Sequence, residues 1–404
     1  YFIYKYCFFL TIHQRMCLLI MPKILILGAG GIGLPIASAL KHEEYNLVLS
    51  DYSEEAIGKA KEYFFNRKFD SECSLDFHVG DAISYLSDNQ ESFDIVVSAL
   101  PYHMNKEIAH LCIPEGTPYV DLGGHVDTTH CIRELAEGYG CAPVASDQGL
   151  APGLVNIVAE QAFEAVNPEK RYRQTKIKMA VGGLPENRGL NPLDYIVTWS
   201  VDGLINEYEG EAEVLLGAER KKVPTLTGLE TMTVDGDELE AFYTSGGSAH
   251  TIQSMWDKGS SYPIPDVTYK TLRYPGHMEI VKWLMEQVEF RRLDMMDLFR
   301  YGCPANEEKD IVKFYVNATN GNLSYTREHT FYASEDFSAM QRATAYSAAA
   351  AIQTMFINMS PASLAAETES LALNYSYFNR ECFHERFRDA LNRDRPEKEK
   401  EWVV

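Results

Sequence analysis

Short runs of apolar residues recur between residues 21 and 147, and stretches with helical spacing separate them. The runs are apolar at consecutive positions, which is typical of strands buried on both faces of a parallel sheet. Helices between such strands cover the two faces, so the pattern predicts an α/β, doubly wound parallel sheet. The predicted strands are ILIL (24–27), LVL (47–49), FHV (77–79), DIVVSAL (94–100), YVDL (119–122) and PVAS (143–146).

After Asp147 the pattern changes to alternating apolar and polar positions, which is typical of strands with one exposed face. The helical spacing of 277–288 places its apolar residues on one stripe. Asn320-Gly321 stands between two further strand-like stretches and predicts a two-residue hairpin. We therefore expect 148–335 to form an α+β domain with a mixed or antiparallel sheet. The alternating segments are 173–181, 239–244 and 267–274.

A long helix rich in small residues is predicted at 339–357, where the alanines allow close packing against another element. We expect this helix to return to the first domain, so that 148–335 is an inserted domain. Residues 336–404 are then a helix on the first domain followed by a tail. The tail beyond Pro361 is charged, and we expect a solvated helix with a frayed end.

The first twenty residues are apolar and aromatic, but polar side chains interrupt them. No apolar run reaches the roughly 18 residues that a membrane-spanning helix needs. We expect 1–20 to be a non-native or disordered extension. A degenerate signal or anchor and a genuine N-terminal arm are the alternatives. The interrupting residues are Lys5, His13, Gln14 and Arg15.

Length and charge narrow the class of protein. A chain of 404 residues is long enough for two domains with well-buried cores. Its net charge of −21 argues against nucleic acid or an anionic membrane as a partner, because both repel a negative field. The eight cysteines are scattered and include no C-x-x-C pair. This pattern favours reduced thiols in a cytoplasmic protein over a disulfide framework or a zinc site, so we expect no metal.

The stretch KILILGAGGIG ends the first predicted strand in a glycine-rich turn and opens a helix. Gly28 permits the tight turn, Gly30 lets a pyrophosphate approach the backbone, and Gly33 lets helix and strand pack closely. The N-terminus of the helix offers free N–H groups and a positive dipole end to phosphates. The turn therefore predicts a dinucleotide site. Its residues are Gly28, Ala29, Gly30, Gly31, Ile32 and Gly33.

Acidic residues follow the second and third strands. Asp51, 23 residues after Gly28, is placed to accept hydrogen bonds from the adenosine ribose and to repel a 2′-phosphate. The next residues are Tyr52 and Ser53 rather than arginine, which favours NAD over NADP. Asp81 has two interpretations, as a contact to the adenine edge or as a helix cap.

Polar residues and glycines follow the later strands, where an open α/β sheet forms its ligand crevice. We expect Ser98, Ala99, Leu100 and Pro101 to line the nicotinamide ribose, with Tyr102 at the mouth of the site. In VDLGGH, two glycines leave room for a ring or substrate beside Asp121 and His125. We expect at least one of these two side chains to face the active site. The alternatives are a helix cap for Asp121 and a helix-capping or loop histidine for His125.

The predicted second domain carries two more polar clusters at strand ends. Ser245, Gly246 and Gly247 form a glycine-rich turn, and Arg273 and His277 flank a strand-to-helix junction. Exposed N–H groups and an arginine suit an amino-acid carboxylate, which arginine holds with two hydrogen bonds. A surface ion pair is the alternative for Arg273.

The chain resembles the saccharopine dehydrogenase family. Its motifs occur in the family's order over roughly 21–357. They look most like the lysine 6-dehydrogenase branch, because VDLGGH is similar to that branch. In addition, only about 90 residues separate GGLP from LRYPG, which leaves no room for the large helical insertion typical of glutamate-forming saccharopine dehydrogenases. The motifs are GAGGIG, SALPY, VDLGGH, GLAPGLVNI, GGLP followed by NPLDY and TWS, TSGG, LRYPGH and MQRATAY.

This resemblance implies a Rossmann domain completed by a C-terminal helix, an inserted α+β substrate domain, and a homodimer formed through that domain's sheet. It also implies an NAD-dependent oxidation of a carbon bearing an amine, by hydride transfer and imine hydrolysis, to give 2-aminoadipate 6-semialdehyde. Lysine is the preferred substrate, and saccharopine is the second. A polyamine such as carboxynorspermidine and a catalytically silent NAD sensor are further alternatives.

Roles for individual residues follow from the same resemblance and from the chemistry of an amine substrate. We assign proton handling to Asp121, His125 or His277, and we assign the substrate carboxylate to Arg273 and the Ser245–Gly247 backbone. Three further residues are candidates for the pocket wall: Tyr102, Asn156 and Trp199.

Overall fold

The computed structural model describes residues 21–168, 175–258, 263–306, 308–358 and 371–403. The predicted N-terminal extension, 1–20, lies outside the described residues, as do the first two positions of the predicted strand 173–181. The chain divides into two compact units. The first contains the residues up to Gly149 together with Thr344–Ala390, and the second contains Leu150–Ala343 together with Leu391–Val404.

The first unit is built around a six-stranded parallel sheet with the order β3-β2-β1-β4-β5-β6. This is the doubly wound order in which the chain switches direction beside the first strand. All of Ile24–Leu27 in the central β1 is fully buried, and each such side chain stabilises the fold by about 1.5–3 kcal/mol. The strands are β1 (Lys23–Leu27), β2 (Asn46–Asp51), β3 (Leu75–Val79), β4 (Ile95–Ser98), β5 (Tyr119–Asp121) and β6 (Val144–Ala145).

Helices connect these strands, and the C-terminal part of the chain completes the sheet. Beyond β6, the N–H of Val144 donates to the carbonyl of Leu371 at 2.8 Å, and the N–H of Leu373 donates back to Val144 at 2.8 Å. The connecting helices are α1 (Gly33–Leu40), α2 (Glu54–Phe65), α3 (Ala82–Asp88), α4 (Tyr102–Cys112) and α5 (Val126–Tyr139).

The second unit holds an eight-stranded mixed sheet with the main order β10-β11-β12-β7-β13-β14, and β8 joins β12 to β9. The β12–β7 pair is parallel, and the other pairs are antiparallel. The predicted fold class is therefore confirmed. The strands are β7 (Lys176–Pro185), β8 (Glu211–Leu216), β9 (Glu219–Pro224), β10 (Glu230–Val234), β11 (Asp237–Phe242), β12 (Asp266–Arg273), β13 (Asp310–Asn320) and β14 (Leu323–Tyr332).

Helices of the second unit pack on its sheet and around a separate apolar cluster. The first of them, α6, lies against β7 and β13. The cluster includes Leu204, Phe242, Val281 and Phe299. The helices are α6 (Leu154–Ala165), α7 (Val201–Tyr208), α8 (Thr251–Asp257), α9 (His277–Glu286) and α10 (Arg292–Gly302), and the C-terminal helices are α11 (Ala339–Asn358), α12 (Tyr375–Phe378) and α13 (Glu381–Arg393).

The predicted hairpin is present, but its turn lies one residue later than the sequence suggested. Asn320 pairs with Leu323 across the ladder, so the two turn residues are Gly321 and Asn322. Gly321 has φ +62°, which matches a two-residue turn with glycine at its first position.

The expectation of a solvated, frayed tail is wrong for the last residues. Trp402 is 2% exposed, and its ring stacks on Phe331 with a centroid distance of 5.8 Å. Glu399 accepts a hydrogen bond from Arg342 Nη1 at 2.6 Å and another from the N–H of Tyr332 at 2.8 Å. One aromatic ring and one buried ion pair thus fix a segment that is charged on average.

Candidate active site

The glycine turn in the first unit combines two close backbone contacts with one open position. A Cβ at Gly28 would lie 2.7 Å from the carbonyl oxygen of Ala99, and a Cβ at Gly33 would lie 1.7 Å from that of Gly28. A Cβ at Gly30 would meet nothing within 4 Å. Gly28 and Gly33 therefore let strand and helix pack, while the backbone at Gly30 stays accessible.

The start of α1 has no side-chain cap. Among the described residues, no acceptor takes the N–H groups of Gly30, Gly31 or Ile32. Unpaired N–H groups at a helix N-terminus form a site for an anion. The turn therefore fits the pyrophosphate of a dinucleotide.

Asp51 lies at the end of β2 and fixes the turn. Its Oδ2 accepts the N–H of Ala29 at 2.7 Å, and its Oδ1 accepts the N–H of Ser53 at 2.8 Å. Each carboxylate oxygen has a second lone pair, so Asp51 keeps the capacity to accept ribose hydroxyls. The adjacent Tyr52 is 81% exposed.

Asp81 caps a helix, which was one of its two predicted roles. Its Oδ1 accepts the N–H of Ser84 at 2.8 Å and the hydroxyl of the same residue at 2.8 Å. These hydrogen bonds lower the pKa of Asp81. Its carboxylate is therefore occupied at the start of α3.

The segment that begins at the last residue of β4 differs from the expectation at that residue. Ser98 is buried, and its hydroxyl donates to Asn105 Oδ1 at 2.8 Å, so it serves the interior rather than an open ribose site. Ala99 and Leu100 are partly exposed, and Pro101 is exposed at the start of α4. The predicted contact of these three residues with the nicotinamide ribose stays a prediction.

Tyr102 and His125 form a stacked pair at the surface of the first unit, with ring centroids 5.2 Å apart and planes 14° apart. His125 is the N-cap of α5, and its Nδ1 accepts the N–H of Thr128 at 3.4 Å. The neutral ring therefore carries its proton on Nε2. In this arrangement His125 is a hydrogen-bond donor to a ligand, and it cannot act as a base at Nε2 without losing its cap.

Asp121 belongs to a buried pair of carboxyl groups rather than to an open surface. It is 1% exposed, and its Oδ1 accepts the N–H of Gly123 at 2.8 Å and that of Asp147 at 3.1 Å. Burial and the charge of Asp147 raise the pKa of Asp121 to about 7. Burial also raises the pKa of Asp147 to about 6, although Thr129 and Arg133 oppose this shift.

In the second unit, Arg273 and Glu207 form an ion pair with 3.3 Å between Nη2 and Oε2. The side chain of Arg273 is 3% exposed and that of Glu207 is 18% exposed, so the pair is buried rather than a surface ion pair. Arg273 Nε also donates to the Tyr208 hydroxyl at 3.2 Å, and its guanidinium lies 4.9 Å from the ring centroid of Tyr195. Burial raises the pKa of Glu207 to about 7, because it outweighs the attraction of Arg273.

His277 is locked in one neutral form. Its Nδ1 lies 2.9 Å from the carbonyl oxygen of Leu193, which can only accept, so Nδ1 carries the proton. Nε2 then accepts from the Tyr208 hydroxyl at 2.9 Å. Burial and the charge of Arg273 lower the pKa of His277 to about 3. We therefore replace its predicted role in proton handling with one of orienting Tyr208.

The remaining predicted substrate residues divide into interior and surface groups. Asn156 is fully buried, and its Nδ2 donates to the Thr251 hydroxyl at 2.8 Å. Its predicted place in a pocket wall is thus corrected to an interior link between segments of the second unit. Gly247 is also packed, because a Cβ there would lie 2.1 Å from the Tyr269 ring.

Trp199, Ser245 and Gly246 are partly exposed. Trp199 Nε1 donates to the Tyr195 hydroxyl at 3.0 Å, and the N–H of Ser245 donates to the carbonyl of Glu207 at 2.9 Å. Gly246 has φ +93°. The structure therefore brings Trp199 and Ser245 to the residues around Arg273. We call this group the arginine cluster, and its members are Tyr195, Trp199, Glu207, Tyr208, Ser245, Arg273 and His277.

Comparison with protein families accounts for both units. Residues 24–145 match the saccharopine dehydrogenase NADP binding domain, and residues 149–363 match the saccharopine dehydrogenase C-terminal domain. The chain belongs to the saccharopine dehydrogenase family. This result confirms the predicted family, and the model that matches the first unit is described as an NADP binding domain, which agrees with the predicted nicotinamide dinucleotide as the class of cofactor.

Two curated relatives each match about half of the chain. Mitochondrial alpha-aminoadipic semialdehyde synthase of Mus musculus is 27% identical over 212 residues, 51% of this chain and 21% of the relative. The Bos taurus protein of that name is 24% identical over 200 residues, 49% of this chain and 21% of the relative. This chain thus spans about a fifth of the length of these relatives.

The fold resembles that of apo histidine-tagged saccharopine dehydrogenase (L-Glu forming) from Saccharomyces cerevisiae, with a TM-score of 0.70 and 15% identity. The likeness covers 92% of this chain and 98% of the yeast chain.

Sequence reasoning missed four of these residues. Asp147 was used only as a domain boundary and Tyr195 only as part of a family motif, while Glu207 and Tyr208 were not used at all. A glutamate near the end of a short helix has no local signature, since its significance comes from Arg273, which lies 66 residues away in sequence. The order of saccharopine dehydrogenase motifs would have located Tyr195, but not its contact with the guanidinium.

The part of the chain that the structure describes contains no group of three or more histidine, cysteine or acidic side chains that could hold a metal ion. None of the helices described is long and apolar enough to cross a membrane.

Proposed function

We propose that this chain oxidises the amine-bearing carbon of lysine, in the manner of lysine 6-dehydrogenase, and forms 2-aminoadipate 6-semialdehyde. The observation that carries this proposal is the arginine cluster, whose seven members as defined above include one arginine, Arg273. Lysine has one carboxylate and saccharopine has three, so one arginine suits lysine better. The family supplies the oxidoreductase chemistry, and the cluster supplies the preference among amines.

The glycine turn, the uncapped start of α1 and Asp51 fit a dinucleotide, and the acidic Asp51 without a neighbouring arginine favours NAD over NADP. A bound dinucleotide would supply the acceptor for a hydride from the amine-bearing carbon. Loss of that hydride together with a proton from the amine nitrogen to water leaves a carbon–nitrogen double bond, and hydrolysis of this bond by water releases ammonia from lysine. The N–H groups from Gly30 to Ile32 would hold the pyrophosphate, and Asp51 would hold the adenosine ribose.

In this proposal, the remaining residues position the substrate or donate hydrogen bonds. The Nε2–H of His125 is a donor for a lone pair on water or substrate, and the adjacent Tyr102 ring keeps the imidazole in place. Arg273 binds the substrate carboxylate. Asp121 is buried, so its predicted part in proton handling is limited to the charge that it contributes inside the first unit.

Saccharopine dehydrogenase activity with release of glutamate is the second candidate. The match of both family models to saccharopine dehydrogenase favours it. A polyamine substrate and a catalytically silent sensor remain as alternatives for the experiment to separate. The homodimer and the cytoplasmic location stay predictions.

The test measures the absorbance of reduced cofactor after lysine or saccharopine is added with NAD or with NADP. We expect reduction with lysine and NAD, and none when D-lysine replaces L-lysine. Reduction with saccharopine alone would contradict the lysine preference, and reduction with NADP alone would contradict the role of Asp51. If no amine gives a signal although NAD raises the melting temperature, the chain is a sensor.

A further inference from the structure

The arginine cluster leaves hydrogen-bonding capacity on both members of its ion pair. Arginine has five N–H donors. In Arg273, Nε donates to Tyr208 at 3.2 Å, Nη1 to the carbonyl of Leu272 at 2.9 Å, and Nη2 to Glu207 at 3.3 Å. Two N–H donors have no partner among the described residues. Glu207 Oε1 likewise makes no hydrogen bond to a described residue, while Oε2 contacts the guanidinium.

The remaining donors of Arg273 lie where water has little access. Its side chain is 3% exposed, and each of its three nitrogens already donates one hydrogen bond, so a ligand would add to these contacts rather than replace all of them. Glu207 is the second-last residue of α7, where the helix dipole disfavours negative charge. A ligand that offers both an acceptor and a positive charge would satisfy both members of the pair.

The surroundings of the pair would strengthen such an interaction. The ring centroids of Tyr195 and Tyr208 lie 4.9 Å and 5.9 Å from the guanidinium carbon of Arg273. The rings reduce the access of water, so charges interact more strongly there than at an open surface. Glu207 is the more exposed member of the pair, at 18% against 3%, which makes it the member that a ligand reaches first.

We propose that Glu207 and Arg273 together bind the amino-acid end of the substrate, Glu207 holding its α-ammonium group and Arg273 its α-carboxylate. This inference rests on the proposed function and extends it, because Glu207 becomes a residue that determines specificity. Lysine and saccharopine both carry these two groups at the lysine end. On binding, the ion pair between Glu207 and Arg273 is replaced by two ion pairs with the ligand, one from Glu207 to its α-ammonium group and one from Arg273 to its α-carboxylate.

The experiment compares three probes by isothermal titration calorimetry in the presence of NADH: L-lysine, 6-aminohexanoate, which lacks the α-ammonium, and pentane-1,5-diamine, which lacks the α-carboxylate. We expect each truncated probe to bind the wild-type protein at least about tenfold more weakly than lysine. In Glu207→Gln, lysine and 6-aminohexanoate should bind within about twofold of each other, while the diamine remains weaker. Arg273→Gln should remove the discrimination against the diamine.

Glu209→Gln is the matched control. Glu209 lies two residues after Glu207 in the sequence and also forms an ion pair with an arginine, Arg292, but it lies outside the arginine cluster. It should keep the wild-type ranking of the three probes. If Glu207→Gln does not fold, Glu207→Asp replaces it and should retain part of the preference for lysine over 6-aminohexanoate.

Two results would overturn the inference: equal affinity of the wild-type protein for all three probes, or an unchanged preference for lysine over 6-aminohexanoate in folded Glu207→Gln. The proposed function fails separately, when no amine reduces the cofactor. If the protein oxidises no amine but Glu207→Gln changes its affinity for lysine, the proposed binding site is supported and the proposed activity is contradicted. If the protein oxidises lysine but Glu207→Gln does not change the preference among the three probes, the activity is supported and the binding site is contradicted.

Discussion

At the scale of single residues, the pair Asp121 and Asp147 makes stability depend on pH. Both pKa values are raised in the folded protein, to about 7 and about 6, above the value near 4 of an unfolded chain. The unfolded state therefore loses these protons first as pH rises. The two protonated carboxyl groups therefore make their full contribution to the free energy of unfolding below the pKa of the unfolded chain. This contribution is lost as pH rises through the pKa values of the folded protein.

Asp121→Asn should remove part of this dependence, since the amide oxygen still accepts the N–H groups of Gly123 and Asp147 without carrying charge. We expect the free energy of unfolding at about pH 8.5 to rise by on the order of 2 kcal/mol relative to wild type, and to change less at about pH 6. Urea denaturation of the variant and the wild type at the two pH values measures this difference in the free energy of unfolding.

The control is Asp127→Asn, an exposed aspartate on the first turn of α5. It should leave the pH dependence as in the wild type. An identical pH dependence in Asp121→Asn and wild type would show that the buried pair does not titrate in this range.

At the scale of elements, the turn between β1 and α1 contains closely packed glycines and one open glycine, Gly30, which we expect to serve dinucleotide binding. Gly33→Ala places its Cβ 1.7 Å from a backbone oxygen, so we expect a loss of about 3 kcal/mol or more of stability. Gly30→Ala meets no atom within 4 Å and should keep the melting temperature. It should weaken dinucleotide binding about tenfold or more, a loss of about 1.4 kcal/mol.

Thermal melts and NADH fluorescence titrations measure the two effects. Gly58→Ala on α2 is the control, because its Cβ also meets nothing within 4 Å and it lies outside the turn. If Gly30→Ala binds the dinucleotide as tightly as the wild type does, the assignment of this turn to the cofactor site is wrong.

The elements themselves were largely predictable. Consecutive apolar residues identified the parallel strands of the first unit, and helical spacing identified α9 and α11, because both periodicities arise from local geometry. The details failed where a distant residue decided the outcome. Ser98 lies at the end of a strand as expected, but its hydroxyl donates to Asn105 in the interior.

At the scale of the whole molecule, the chain returns twice: Thr344–Ala390 belongs to the first unit and Leu391–Val404 to the second. The second return depends on Trp402 and on the pairing of Glu399 with Arg342. Trp402→Ala should therefore destabilise the second unit by about 3–5 kcal/mol, as other large truncations in cores do.

Guanidinium denaturation followed by circular dichroism measures this loss. Val403→Ala, at a neighbouring side chain that is 69% exposed, should change the stability by less than about 0.5 kcal/mol. Equal stability of the two variants would mean that the tail does not contribute to the fold.

By itself, the sequence determined the strand and helix pattern and the family through its ordered motifs, and it predicted the dinucleotide turn with Asp51. These features depend on neighbours within a few residues or on a fixed spacing. Only the tertiary structure decided that His277 is neutral and held by Tyr208, that Asp121 shares its burial with Asp147, and that Glu207 partners Arg273. Burial and electrostatic pairing join residues that are far apart in the chain, and no local pattern records which of them will meet.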